Sequence, residues 1–352
     1  MAIAADRTTP SLLPLLEEGK PDAMGWARRR LALALILILA LSIPWWGLPF
    51  LIPAYVAVGL VFVMVGISLN ILMGYAGQIS LGHSAFVGVG AFTSAILVSK
   101  AGLPFWLGVP AAGATGAIAA IALGFVALRL SGLYLALITL AYGTIAREVI
   151  FGINAVTGGG AGASAPRPPG FANDIAFTYL TAACVAVLYY FDWRLVKSKA
   201  GRAIFAIREN ETVAASFGIN VVAYKLLAFV MSGAFAGIAG AFFAHRLEIA
   251  TDADFSFRLA LIFVLMVAVG GVGSRAGVFM ASFFFGVFPL AANALTHLTD
   301  IIGALLLLVT LTLNPGGIAQ QIKPVTDWLA GKPFSLKHHD SEIQTGGAGV
   351  RP

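Results

Sequence analysis

Three observations predict an all-α, polytopic membrane protein with about ten transmembrane helices. Of the 352 residues, 59% are hydrophobic and only 11% are charged, whereas soluble domains carry about 25% charged residues. The mean hydropathy is +0.91, so lipid must cover much of the surface. The apolar residues also come in runs of roughly 20, the length a helix needs to cross a hydrocarbon core of about 30 Å. Short alternating strands of the barrel type are not seen.

Residues 1–29 form a mixed-charge, Pro-containing N-terminal segment expected in the cytoplasm. It lacks the short basic start and small-residue cleavage site of a signal peptide, so "RRRLALALILILALSI" reads as a retained first span. Apolar segments follow at about 30–47, 51–73, 79–98, 105–128, 131–150, 174–192, 223–244, 258–273, 276–294 and 299–314. Gly, Ser and His interrupt the third and Gly the ninth, so some helices are expected to be broken or Gly-rich. The transmembrane region is thus 30–320, with a charged cytoplasmic loop at 194–222. A polar tail, 321–352, is expected to be disordered toward its Gly-rich end. His338 and His339 there lack partners at metal-ligand spacing, so no zinc site is expected. Cys184 stands alone in an apolar run and reads as a small core residue.

Orientation follows from Lys and Arg in short loops. With both termini in the cytoplasm, 17 of the 22 Lys and Arg fall inside, and Lys100, Arg147, Arg167, Arg246 and Arg258 remain outside. The formal charge of +6 is therefore mainly topological; no nucleic-acid motif accompanies it. The outer side then holds "NAVTGGGAGASAPRPPGFAND" (154–174) and "HRLEIATDADFSF" (245–257). The first is too rich in Gly, Ala and Pro for a regular helix and is either a flexible connector or a lip of a translocation pathway.

Several functions are excluded or weakened by what the spans lack. Every acidic residue, including Glu148, Asp174 and Asp192, falls at a span end or beyond it. Proton-driven pumps keep an ionisable relay near the bilayer midplane, so secondary transport is the weaker reading, though coupling to Na⁺ through carbonyls stays open. There is no H-E-x-x-H, no G-x-S-x-G and no G-x-x-x-x-G-K-[ST]. No catalytic residue or bound cofactor is expected, and if ATP drives this chain the motor is another polypeptide.

The charged loop is the least membrane-like stretch. In "RAIFAIRENETVAASF", Ile204, Ile207, Glu211 and Ala214/Ala215 recur at spacings of three or four, which predicts an amphipathic helix between Gly201 and Gly218 as flexible joints. Ala214 and Ala215 permit close approach of another surface, and Arg208, Glu209 and Glu211 offer charged hydrogen bonds. Such a helix either docks in a partner's groove or lies on the membrane interface.

The second unusual stretch is "GQISLGHSAFVGVGAF". Gln78, Ser80, His83 and Ser84 place polar groups at apparent membrane depth, the last three on one helical face. Gly77, Gly82, Gly88 and Gly90 permit either a broken helix whose backbone serves a zwitterion or close helix packing. His83 alone reads more simply as a packing or capping histidine. Asn70, Thr139, Tyr142, Asn293 and Thr296 are further pathway candidates. Arg147 and Glu148 adjoin the outer end of a span and read as an interfacial ion pair with a neighbouring helix in preference to a substrate-binding pair. In "VGGVGSRAGVFMAS", Gly270, Gly271, Gly273 and Gly277 surround Arg275, with neither the strand before nor the Lys-Ser/Thr after that a phosphate loop needs.

"GRAIFAIRENETVAASFGINVVAYKLLAFVMSGAFAGIAGAFFA" (201–244) resembles the cytoplasmic loop and following span of branched-chain amino acid ABC permeases of the LivM type. "GYAGQISLGHSAFVGVGAF", "LSGLYLALITLAYGTI", "TGGGAG", "VAVGGVGSRAGVFMAS" and "LNPGGI" resemble further stretches of that family in the same order, over about residues 50–320. The resemblance implies that Gly201, Arg202, Arg208, Glu209, Glu211, Ala214, Ala215 and Gly218 belong to a coupling loop on which an ATP-binding subunit docks. It further implies two ATP-binding cassette subunits holding ATP-Mg, a second homologous permease of the LivH type and a periplasmic binding protein, all at a bacterial inner membrane. Relatives with urea or a small aromatic acid as substrate share these motifs. The reading from another class is an ion-coupled secondary transporter of a small polar solute.

Overall fold

A computed structural model describes residues 52–127 and 132–291, together with Ser42, Leu130 and Leu305. The chain divides into one unit of residues 1–43 with 323–352 and another of residues 44–322. Only Ser42 of the first is described, and the architecture is that of the second. Helix α1 runs Pro53–Asn70 and widens into a π-helical turn, Ile71–Tyr75; α2 is His83–Ser99 and α3 Phe105–Ala127. Next come α4, Gly132–Ile145, with its own π-helical turn Ala146–Phe151, the single turn α5, Asn154–Thr157, and α6, Asp174–Lys197. The short helices α7, Lys199–Glu209, and α8, Glu211–Ser216, precede α9, Val221–Leu247, α10, Phe257–Gly270, and α11, Arg275–Ala291. Residues Ala163–Ser164 (β1) pair antiparallel with Ile249–Ala250 (β2).

Five stretches among the described residues are long and apolar enough to cross a membrane: Pro53–Tyr75, Phe105–Val126, Gly132–Phe151, Asp174–Lys197 and Val221–Leu247. His83–Ser99, Phe257–Gly270 and Arg275–Leu290 are shorter apolar helices. Each of the eight predicted segments from 51–73 to 276–294 therefore matches a helix. The segments 30–47 and 299–314 lie outside the described residues, apart from Ser42 and Leu305, as do the tail and the "LNPGGI" stretch.

Helix starts follow local chemistry. Pro53 opens α1, where its missing N–H costs nothing. Asn173, Ser198, Asn210 and Asn220 each cap a following helix by accepting a backbone N–H. The most enclosed helix is α1, buried over 94% of its apolar window against 22–33% for α3, α4 and α6. It is apolar on every side, as a central helix must be, and packs on α6, α9 and α11.

Small residues set the tightest contacts. Gly233 and Gly237 of α9 lie directly on Ala112, Gly116 and Ala120 of α3, while Gly240 lies on Val87 and Ala91 of α2. Gly90 of α2 meets the Gly237 carbonyl. This small-residue seam lets three backbones approach where Leu would hold them apart.

The bundle has two chemically distinct ends. At one, Thr178 donates to the Pro53 carbonyl (2.8 Å) and Arg246 to the Ala54 carbonyl (3.0 Å). There Arg167 pairs with Asp174 (2.7 Å) and Glu248 (3.2 Å) beside the small sheet. His245 donates from Nδ1 to the Pro166 carbonyl (2.7 Å), which leaves Nε2 to accept from Ser94 (2.9 Å). At the other end lie α7, α8 and the π-helical turn of α1.

Candidate functional site

The predicted interruption near Gly77 begins in the widened turn of α1. Ala76 N–H bonds the Ile71 carbonyl (3.1 Å) and Gln78 N–H the Leu72 carbonyl (2.8 Å), each beyond α-helical reach. Residues 76–82 are then irregular until His83 opens α2. Backbone groups at such depth need protein partners, and α4 supplies one, since Leu81 N–H donates to Thr139 Oγ1 (2.9 Å). A side chain at Gly82 would strike the Thr139 carbonyl. Ser80 is consequently in the irregular stretch, and only His83 and Ser84 of the expected helical face are on α2.

Above this stretch, α1 and α9 are joined by a reciprocal clasp. Ser68 Oγ donates to the Ser232 carbonyl (2.6 Å), and Ser232 Oγ to the Ser68 carbonyl (2.8 Å). With the Ser68 proton committed, His83 must donate from Nε2 to Ser68 Oγ at 2.7 Å. His83 Nδ1, Ser80 Oγ and Gln78 Oε1 are buried without a partner, so three polar atoms gather along the interrupted segment. Tyr142 is half-buried, its ring 5.8 Å from that of Phe86, which itself meets the His83 ring. Ser68→Ala is expected to lower stability by about 1–3 kcal/mol, because it removes a donor and strands the His83 N–H. Ser232→Ala loses only its own bond and should cost about 1 kcal/mol. Thermal unfolding of the purified variants checks the order; a larger loss for Ser232→Ala refutes the bonding scheme.

Asn70 has a different place from the other pathway candidates. Its Oδ1 accepts from Gly273 N–H at 2.9 Å, and Gly74 lies on the Gly273 backbone. The two Gly-rich segments of the sequence thus meet, with Asn70 as the clamp. Asn293 and Thr296 lie outside the described residues.

The charged loop is two helices, not the single one expected. Asn210 is extended (φ −159°) and its side chain accepts from Val213 N–H at 3.0 Å, so it ends α7 and caps α8. Gly201 is no joint: it sits in the first turn of α7, which Ser198 caps, packed on the Leu195 carbonyl. Gly218, at φ 78°, does end the segment. The periodicity was otherwise informative, since Ala203, Ile204, Ile207 and Ala214 are buried while Arg202, Glu209 and Ala215 face outward.

Two of the charged residues turn toward their own chain. Arg208 Nη1 donates to the Gly74 carbonyl, and its side chain lies between Gly77 and Gly273, both at positive φ. Any Cβ at either glycine would be strained and would crowd this arginine. Glu211 pairs with Lys225 at 2.6 Å, the lysine side chain being 8% exposed, which ties α8 to α9. What remains on the outside is apolar: Val213 on α8 is 49% exposed and Phe217, one turn on at the end of α8, is 81% exposed. Beside them Lys199, Arg202, Gly218, Ile219 and Tyr224 line an open groove of about 340 Å³.

Asp192 lies near the end of α6, where the sequence reading placed it, but its side chain turns inward. It is 1% exposed, and Tyr75 donates to its Oδ2 at 3.2 Å. A signal was available: Phe177, Thr181, Val185, Leu188, Asp192 and Leu195 are all buried on α6 at spacings of three or four, so Asp192 falls on the inward stripe. Arg147 pairs not with a neighbouring helix but with the adjacent Glu148, at 3.2 Å. Among the described residues, no group of three or more His, Cys, Asp and Glu is placed to hold a metal ion.

Residues 51–311 match the family described as branched-chain amino acid transport system / permease component. The chain is 33% identical, over 282 residues, to the high-affinity branched-chain amino acid transport system permease protein LivM of Escherichia coli strain K12 and to that of Salmonella typhimurium strain LT2. That likeness takes in 71% of this chain and 66% of each relative, so the chain spans just under two thirds of the length of those proteins. A shorter likeness, 34% over 100 residues, joins 28% of the chain to 29% of the L-arabinose transport system permease protein AraH of Escherichia coli. No solved structure matches.

Proposed function

Because the chain belongs to the branched-chain amino acid permease family, we propose that it is the membrane-spanning permease subunit of an ABC importer for branched-chain or related amino acids. Two ATP-binding cassette subunits hold ATP-Mg and dock on α7 and α8; the chain itself is no enzyme. A second permease of the LivH type and a periplasmic binding protein complete the assembly in a bacterial inner membrane. Ten spans with both termini in the cytoplasm divide the chain into a segment 1–29, the permease region 30–320 and the tail 321–352. Residues Gln78, Ser80, His83 and Ser84 lie on the pathway.

One observation carries the docking role. The α7–α8 segment exposes Phe217 and Val213 while Arg208 and Glu211 fasten it to the bundle. Exposed apolar groups on a fastened helix suit a protein groove, and a fastened helix transmits a push. Phe217→Asp is expected to cut recovery of a co-purifying P-loop ATPase by at least about tenfold when the tagged chain is taken from native membranes in mild detergent, as for loss of an aromatic anchor. Glu211→Lys should act differently, by setting two cations against each other and freeing α8. Full recovery with Phe217→Asp moves the dock elsewhere; no ATPase with the unaltered chain sinks the importer reading.

Asp192 bears on ion coupling, since a buried carboxylate could take part in a relay. Its position argues against this: it is bonded to Tyr75 beside α7, one turn from the end of α6.

A further inference from the structure

A small cavity between α2, α4 and α10 is lined by Ser84, Gly143, Thr144, Arg147, Phe255 and Phe257. Its volume is about 60 Å³, above the roughly 10–15 Å³ that one water needs and sufficient for a carboxylate with part of its chain. Arg147 stands on the π-helical turn that ends α4, a distortion found often at functional sites. Its Nη1 touches Glu148, which is 62% exposed, but its Nε is buried without a partner. The rest of α4 cannot explain an arginine there, since Leu133, Tyr134, Leu137, Ile145 and Val149 leave its outer face apolar. A buried guanidinium N–H of this kind requires water or a polar partner.

We propose that this cavity binds the polar end of the amino acid in passage, with Arg147 receiving its carboxylate. Arginine presents several donors in a planar fork, and the Nε–H edge suits a carboxylate. Thr144 donates its hydroxyl proton to the Leu140 carbonyl at 3.1 Å, so its oxygen is left as an acceptor, suited to the ammonium group. Phe255 and Phe257 supply an apolar wall for an aliphatic side chain. The cavity adjoins the end of the bundle that carries the small sheet, since Phe255 also packs on Phe92 and Phe151. The proposal rests on the importer reading and names a binding site for the substrate within it.

The test uses the complex co-purified from native membranes; binding is read in lipid nanodiscs without the periplasmic binding protein, whose own site would mask the signal, and uptake is read in proteoliposomes with it. Saturation-transfer NMR is expected to detect binding of leucine and not of leucinamide, whose carboxylate is a neutral amide, and Arg147→Gln should abolish the leucine signal. Uptake of radiolabelled leucine should fall about 10- to 100-fold with Arg147→Gln, the range for loss of a charged hydrogen bond, and less with Arg147→Lys, which keeps the charge. Glu148→Gln, off the cavity wall, should change uptake by less than about threefold. If Arg147→Gln does not assemble, Thr144→Val is read in its place, with a loss of about tenfold expected. Equal binding of leucinamide, or equal losses for Arg147→Gln and Glu148→Gln, overturns the site while uptake by the unaltered complex keeps the importer reading. No ATP-driven uptake by the unaltered complex takes down both.

Discussion

Leucine in place of Gly237 is expected to leave no folded protein to purify, whereas Gly160→Ala is expected to behave as the unaltered chain. A Cβ at position 237 would run into the Ala112 carbonyl and lie 3.2 Å from the Gly116 Cα. Both are backbone atoms, which cannot turn aside as a side chain can. Overpacking in a core that can adjust costs about 1–3 kcal/mol; here α3 and α9 must separate, so the cost exceeds that range. Separation would also open the contacts of Gly233 with Ala120 and of Gly90 with Gly237, which extends the loss along the seam. Against a total of about 5–15 kcal/mol, that is most of the stability. Gly160 has nothing within 4 Å of such a Cβ and serves as the control. Size-exclusion profiles of detergent-solubilised membranes check the pair, and a sharp, normal peak for Gly237→Leu would refute the seam.

The same seam shows where reading a sequence stops. The "GAFAGIAG" stretch announces small residues at helical spacing, and so does "AAGATGAIAA" in α3, but neither stretch says that the other is its partner. Gly90 left open whether it served a pathway or a contact, and the Gly237 carbonyl decides for the contact. Span positions were legible because hydropathy is a sum over many residues and tolerates local error. The third segment, read from about residue 79, becomes regular only at His83; in the irregular residues 76–82, Leu81 N–H bonds Thr139, 58 residues further along the chain.

Polar residues were legible in identity and less so in direction. Ser68 and Ser232 look like any hydroxyls in a span, and only their distance from one another reveals the clasp. Asn70, a pathway candidate by sequence, receives the Gly273 N–H. Glu211 and Arg208 were expected to reach outward, as charge in a loop ordinarily does, and both bond within the chain. The outward positions are held by Phe217 and Val213, whose apolar character in the sequence suggested burial. The inward direction of Asp192 was already contained in the periodicity of its own helix.

Arg208 joins the most of these parts, and its removal should have a large effect on function. In the importer complex proposed above, Arg208→Ala is expected to reduce leucine uptake at least about tenfold, by loss of a charge-assisted hydrogen bond, while ATP hydrolysis continues. The reason lies in the geometry: the guanidinium holds α7 to the Gly74 carbonyl at the end of α1. Its side chain also fills the space between Gly77, where the irregular segment begins, and Gly273, which Asn70 clamps. Displacement of α7 therefore reaches α1, the 76–82 segment and the start of α11 through a single side chain. Glu211 with Lys225 fastens α8 to α9 and would still hold the docking surface in place, so an ATPase would bind and turn over without moving the segment that bears Gln78 and Ser80. Arg208→Lys should recover only part of the uptake, because a single ammonium can bond the carbonyl but does not lie flat between two glycines. The ratio of leucine transported to ATP hydrolysed, measured in proteoliposomes, is the deciding quantity. A normal ratio in Arg208→Ala would mean that force passes through the Glu211–Lys225 tie and α9 instead.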